Sequence, residues 1–278
     1  MNASPSAAAP RERLEPGRIR AALPSSGLRL GGLAVHGAID STNAWLLERS
    51  ATLPSPYACL SEHQLAGRGR RGRTWVDATG RDLCVSLLWR FTLEGARSQG
   101  LSLAIGVAAV RALASFGARS VQLKWPNDIV WRDRKLGGIL IEGTVSGEVW
   151  TAVIGIGVNV REEALPALGV PRVHLESIVG APVSRNRLAA LLIAEVLAEC
   201  ARFEELGAGP AVGEWGALDA MSGRRVRVEA AGGRTDGVAR GVDESGELLL
   251  EVDGTIERFV SADVSLRAGA PEECEDIA

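Results

Sequence analysis

Between residues 33 and 160 the chain alternates short β-like runs with stretches whose apolar positions return at the helical period. LAVHGAI (33–39), YACLSEH (57–63), DLCVSLLWRF (82–91), VQLKW (121–125), KLGGILIEG (135–143) and VWTAVIGIGVNV (149–160) predict strands. NAWLLERSATL (43–53) and SLAIGVAAVRALASF (102–116) predict helices. A further helix, RNRLAALLIAEVLAECARFEEL, opens after Ser184, whose hydroxyl can cap the first free amides, and Leu188, Leu191, Leu192, Val196 and Cys200 form its apolar stripe. From about Gly223 the pattern changes to short strands with glycine turns: RRVRVEA, TDGVARGVD, ELLLEV, ERFVSA and DVSLR. Five such strands imply a small closed β-barrel, with a boundary near Met221. The whole reads as α/β or α+β: a flexible arm over 1–27, a first domain over 28–221, a second over 222–268 and a flexible tail over 269–278.

The arm is rich in Ala, Pro, Ser and Arg and has room for at most one short helix, after Pro16. It is too short and too poor in apolar positions for a helix-turn-helix domain. With hydrophobic residues at 46% and charged residues at 23%, the remainder can bury a core. Lys+Arg 31 against Asp+Glu 34 leaves a net charge of -3, so phosphate chemistry must be local rather than a global positive field. The greasiest stretch, Leu101 to Phe116, is interrupted by Ser102, Gly106 and Arg111 and is no membrane span. Cys59, Cys84, Cys200 and Cys274 have no CxxC spacing and His36, His63 and His174 no ligand spacing, which argues against a structural metal. Free thiols without a secretory signal point to the cytoplasm.

Four segments carry candidate chemistry. Gly67-Arg68-Gly69-Arg70-Arg71-Gly72-Arg73, between Glu62-His63-Gln64 and Thr74-Trp75, combines close backbone approach with permanent planar charge, the needs of a mobile phosphate loop. It is not a P-loop. Lys124-Trp125-Pro126-Asn127-Asp128 reads as a strand end and turn that holds Lys124 near Asp128, a carboxylate able to hold Mg²⁺ against phosphates. Lys135 then opens an apolar strand whose glycines leave space for a flat ligand. Gly155-Ile156-Gly157-Val158-Asn159 ends an apolar strand on a polar residue, and Asp40-Ser41-Thr42-Asn43 is a helix cap whose hydroxyls can also face a ligand. Of the tryptophans, Trp75 is the best candidate for a ligand wall, because it closes the arginine loop.

Taken in order, DSTN, EHQLAGRGRRGRTW, KWPNDIVWRDRKLGGILIEG and GIGVNV resemble bacterial biotin-protein ligases over roughly residues 33 to 267. The resemblance implies an α+β catalytic domain like that of class II aminoacyl-tRNA synthetases, with a mixed sheet and flanking helices, and an SH3-like C-terminal barrel. It implies an enzyme that joins biotin to ATP, releases pyrophosphate and passes the biotinyl group to a lysine of a biotin carboxyl carrier domain. By motif, Ser41, Thr42 and Gln64 would contact the ureido ring, with Asn43, Gly67, Arg68, Lys135, Gly138, Gly155 and Trp75 completing the biotin pocket. Arg70, Arg73, Lys124, Lys135 and Asn159 would serve ATP, and Asp128 the Mg²⁺ ion. Lys135, Arg70 and Asp128 would be catalytic, Asp128 orienting or deprotonating the acceptor amine. The chain departs from the family at Gly137, usually Ala, and after the GxGxN strand, where His174 is the one planar group offered for adenine. Members that repress transcription carry an N-terminal winged helix-turn-helix, so a ligase without DNA binding is expected, as a monomer or weak homodimer. Lesser readings are a lipoyl or octanoyl transferase, a salt-sensitive nucleic-acid binder and a noncatalytic partner-binding protein.

Overall fold

Strand β3 (Leu83–Thr92) is buried over almost its whole length because both of its faces are covered. Leu83, Val85, Leu87, Trp89 and Phe91 enter the main core, whereas Leu88 joins a smaller cluster with Leu46, Cys59 and Val153, and Cys84 and Ser86 border a cavity. In the computed structural model, which describes residues 12–24, 29–92, 100–162, 171–230, 233–260 and 265–268, β3 lies near the middle of a seven-stranded sheet. Its companions are β1 (Gly32–His36), β2 (Tyr57–Ser61), β4 (Gln122–Lys124), β5 (Asp128–Trp131), β6 (Arg134–Ser146) and β7 (Val149–Val158), in the order β1-β2-β3-β7-β6-β5-β4. β1 and β2 run parallel and all other neighbours antiparallel, so the sheet is mixed.

Helices α3 (Leu101–Ala114), α5 (Arg185–Leu206) and α6 (Gly209–Leu218) cover the core face, while α2 (Thr42–Arg49) packs on the other through Leu46. Ser184 caps α5 by accepting from Arg187 N, as its sequence position implies. α6 has no sequence signal, since Gly209, Gly213 and Gly216 weaken helix propensity. It forms because Ala211 and Trp215 are buried in the core. Another short helix, α4 (Leu175–Val179), follows β7.

The arm needs a correction. Residues 12–24 do not hang free: α1 (Pro16–Ala22) lies against α5, and Ile19 is 0% exposed. Glu12 accepts from Ser184 Oγ and Arg185 N, Asn186 accepts from Glu15 N, and Leu14 N donates to Glu62. Leu14 and Ile19 supply enough apolar surface to dock a segment that looks disordered by composition.

The C-terminal strands β8 (Arg225–Ala230), β9 (Gly233–Val242), β10 (Leu248–Val252), β11 (Thr255–Phe259) and β12 (Ser265–Ala268) form an antiparallel sheet ordered β11-β10-β9-β8-β12. Among the described residues no ladder joins β11 to β12. This small sheet is tied to the larger one: Trp125 Nε1 donates to Gly246 O, in the turn between β9 and β10, at 3.0 Å. The tail over 269–278 and Cys274 lie outside the described residues.

Candidate active site

The cavity bordered by β3 has a volume of about 600 Å³. Its floor is one row running across five strands, Cys84, Gly157, Gly138, Asp128 and Lys124, each paired with the next. Two glycines of β7 on the cavity side are set by what lies above them. A Cβ on Gly157 would meet the Trp75 ring at 2.4 Å, and one on Gly155 would meet Asn43 Oδ1 at 2.3 Å. Gly137 is equally constrained, because its Cβ would lie 2.5 Å from Gly157 O across the ladder.

Lys135 reaches this floor through a β-bulge. Ile129 pairs with Gly137 but Val130 with Lys135, so Leu136 is an extra residue in β6. Strict alternation would place Lys135 on the face of Gly137 and Ile139, which is the core face. The bulge instead sends Leu136 into the core, 0% exposed, and puts Lys135 Nζ 2.5 Å from Asp128 Oδ1 and 5.9 Å from the Trp75 ring centre.

One end of the cavity is a hydroxyl and amide network. Thr42 N and Oγ1 both donate to Gln64 Oε1, at 2.9 and 3.1 Å, and the Ser86 hydroxyl lies 2.6 Å from Thr42 Oγ1 and from Asn43 Oδ1. Gln64 is in turn held by Asp77, which accepts Gln64 N at 3.1 Å and pairs with His63. Ser41 caps α2 and lines the cavity as well. The other end is cationic: Arg70, Arg73, Lys124, Lys135 and Arg172 border it, opposed by Asp128 and Asp133. Arg70 Nη1 reaches Asn127 Oδ1 at 3.4 Å. Asn159 Oδ1, buried in these walls, has no hydrogen-bond partner among the described residues.

Asp82 ties the arginine-loop side to the sheet. Its carboxylate accepts Ala78 N at 2.8 Å and Val160 N at 3.1 Å, and burial pushes its pKa up to about 6.

Most residues singled out by sequence meet here: Ser41, Thr42, Asn43, Gln64, Arg68, Arg70, Arg73, Trp75, Lys124, Asp128, Lys135, Gly138, Gly155 and Asn159 all border the cavity. Gly67 does not. It is buried beneath the loop, where a Cβ would meet Trp75 O at 2.4 Å. Asn43 borders the cavity but its amide is spent on Leu140 O and Glu142. His174 is also outside the cavity. Arg172 takes the wall instead, at the point where its backbone bridges to Lys135. Arg172, Cys84, Ser86 and Asn127 carried no sequence signal as wall residues.

A model of the Biotin/lipoate A/B protein ligase family matches residues 35–159, and one of the Biotin protein ligase C terminal domain matches residues 221–267. The bifunctional ligase/repressor BirA of Escherichia coli is 41% identical over 243 residues, covering 86% of this chain and 75% of that protein. The chain belongs to the biotin protein ligase family. This ligase is also 34% identical over 255 residues to the biotin--[acetyl-CoA-carboxylase] ligase of Mycobacterium tuberculosis, covering 88% of this chain and 94% of that one. Among solved structures, the biotin protein ligase from Aquifex aeolicus in complex with biotin and ATP superposes with a TM-score of 0.76 at 26% identity, over 86% of the ligase and 99% of that chain. No helix among the ligase's described residues is long and apolar enough to cross a membrane.

Proposed function

We propose that this enzyme activates biotin with ATP to biotinyl-5'-AMP and pyrophosphate, then transfers the biotinyl group to a lysine of a biotin carboxyl carrier domain. The observation that carries the reading is the cavity itself, which joins an amide and hydroxyl network beside an indole wall to a cluster of fixed cations. A ureido ring with an aliphatic acid chain suits the first end, and a nucleoside triphosphate the second. Ser41, Thr42 and Gln64 would bind the ring, and Trp75 would cover it. Arg70, Arg73, Lys124 and Lys135 would meet the biotin carboxylate and the phosphates, while Asn159 and the guanidinium plane of Arg172 would face the nucleoside.

In the first step a biotin carboxylate oxygen attacks the α-phosphorus and the bond to the pyrophosphate oxygen breaks. Negative charge gathers between two anions, so a preorganised Lys135 stabilises that arrangement more than the separated reactants. Asp128 holds Lys135 in place beforehand. Among the described residues no cluster of three metal-ligating side chains exists, so the donor set fits an ion carried in on phosphates and held by one carboxylate, the usual habit of Mg²⁺. Asp128 would be that carboxylate, and the bound ion would offset phosphate charge. In the second step the neutral acceptor amine attacks the carbonyl, AMP leaves, and Asp128 takes or directs the proton the amine loses.

Pyrophosphate release from ATP and Mg²⁺ should respond to biotin and not to lipoate or octanoate. Lys135→Ala should slow it about 10²–10³-fold. Release that no acid stimulates would defeat the reading, and Asp128→Asn with both half-reactions unchanged would remove Asp128 from the mechanism.

A further inference from the structure

Glu142 lies on β6 two residues beyond Leu140 and belongs to none of the residues given a role above. Its carboxylate receives Arg68 Nη2 at 2.5 and 2.6 Å on its two oxygens, and Asn43 Nδ2 donates to Oε2 at 2.9 Å. Arg68 sits in the glycine-arginine loop, and Asn43, 3% exposed, follows Ser41 and Thr42 in the first turn of α2. One side chain of the sheet therefore joins two separate walls of the cavity. The bonds that shape the loop itself, Gly69 N to Arg73 O at 2.7 Å and Trp75 N to Gly67 O at 2.9 Å, run within it and do not fasten it to the sheet. Arg70 Nη1 also reaches out of the loop to Asn127 Oδ1, at 3.4 Å.

We propose that Glu142 is a positioning residue whose pairing with Arg68 and Asn43 holds the glycine-arginine loop shut on the activated acid between the two half-reactions. This rests on the reading above, that the acid is activated as an adenylate. A mixed anhydride survives only where water is kept out, and a loop with three glycines stays closed only if something outside it holds it. The pair is partly exposed, with side-chain exposures of 41% and 28%, so it contributes little to global stability and can open without unfolding the protein. A single nitrogen, Arg68 Nη2, is shared between the two carboxylate oxygens, a charge-assisted contact at short range.

The test uses the full chain with biotin, ATP and Mg²⁺ and no acceptor. The unaltered protein should release about one pyrophosphate per chain in a burst and then only slowly, because the loop retains the product. Glu142→Gln, which keeps the shape but removes the charge, should give the same burst followed by release about 5–10-fold faster. Trypsin should cut Glu142→Gln within the loop, after Arg70, Arg71 or Arg73, faster by a similar factor, both with and without ligands. Glu142→Asp, which keeps the charge one methylene further back, should fall between the two in both measurements, and it replaces Glu142→Gln if that variant melts early and loses its burst. An unchanged slow phase together with unchanged cleavage would overturn the latch. If the unaltered protein gives no burst with biotin, adenylation fails as a reading, and the cleavage rates without ligands still decide whether Glu142 holds the loop.

Discussion

The floor and the rim of the cavity are built on different terms. The floor is a row of residues numbered 84, 157, 138, 128 and 124, brought together by the register of five strands and packed so that a single methyl group has no space at Gly157. The rim is a contiguous loop, residues 67 to 75, exposed along much of its length and fastened by ion pairs and a few backbone bonds. A rigid floor and a releasable rim would suit the proposed reaction, in which two anions are oriented closely and a large acceptor is then let in.

If the floor is as unyielding as its geometry states, Gly157→Ala should be the most damaging small change. Its Cβ would displace Trp75, lowering biotin affinity by calorimetry about 10²-fold and stability by about 1–3 kcal/mol. Unchanged affinity would mean that the floor gives way and that the comparison is wrong.

Asp82, which ties the segment that follows the rim to the residues just beyond β7, adds a measurement through pH. Its folded pKa of about 6 stands above the ordinary aspartate value of 3.8, so the folded state holds this proton more tightly than the unfolded chain. Its stabilising contribution is therefore full below about pH 4, falls as pH rises through the window from 4 to 6, and is lost above it. The span corresponds to roughly 3 kcal/mol. Urea unfolding at pH 4.5 and pH 7 should show the difference between the native protein and Asp82→Asn changing by a figure of that order, with the native protein relatively more stable at the lower pH.

Trp125→Phe removes the indole N–H that reaches Gly246 O and leaves a buried carbonyl unpaired. The melting transition should report a loss of about 1–2 kcal/mol. An equal loss of pyrophosphate release at saturating ATP would extend the rigid floor to include the joint with the small sheet. Least of all, Gly138→Ala should change stability by no more than about 0.5 kcal/mol, since the nearest atoms to its Cβ, on Lys135 and Trp75, stand at 3.4 and 3.5 Å. Neighbours in one row would then differ only by what lies above them.

The rim was legible from sequence because its parts are adjacent. Glycine and arginine in alternation state their chemistry without help from the fold, and Trp75 follows directly. The long helix over 185–206 and its Ser184 cap were equally plain, since period and cap act within a few residues. The docking of residues 12–24 was not, because Leu14 and Ile19 gain their value only from a partner surface far along the chain. The same holds for Arg172, whose place in the wall depends on a bridge to Lys135, and for Glu142, whose partners are 74 and 99 residues away.

The amino-acid sequence by itself therefore determined the kinds of element, the mixed α+β character and the family to which the chain belongs. Propensity, periodicity and motif chemistry are all short-range properties. The tertiary structure alone decided which residues share a surface: the bulge at Leu136 turns Lys135 from the core face to the cavity, and strand register sets Gly157 beneath Trp75. Pairing energy between distant strands selects that register, and a shift of one residue would have sent every one of these side chains to the opposite face.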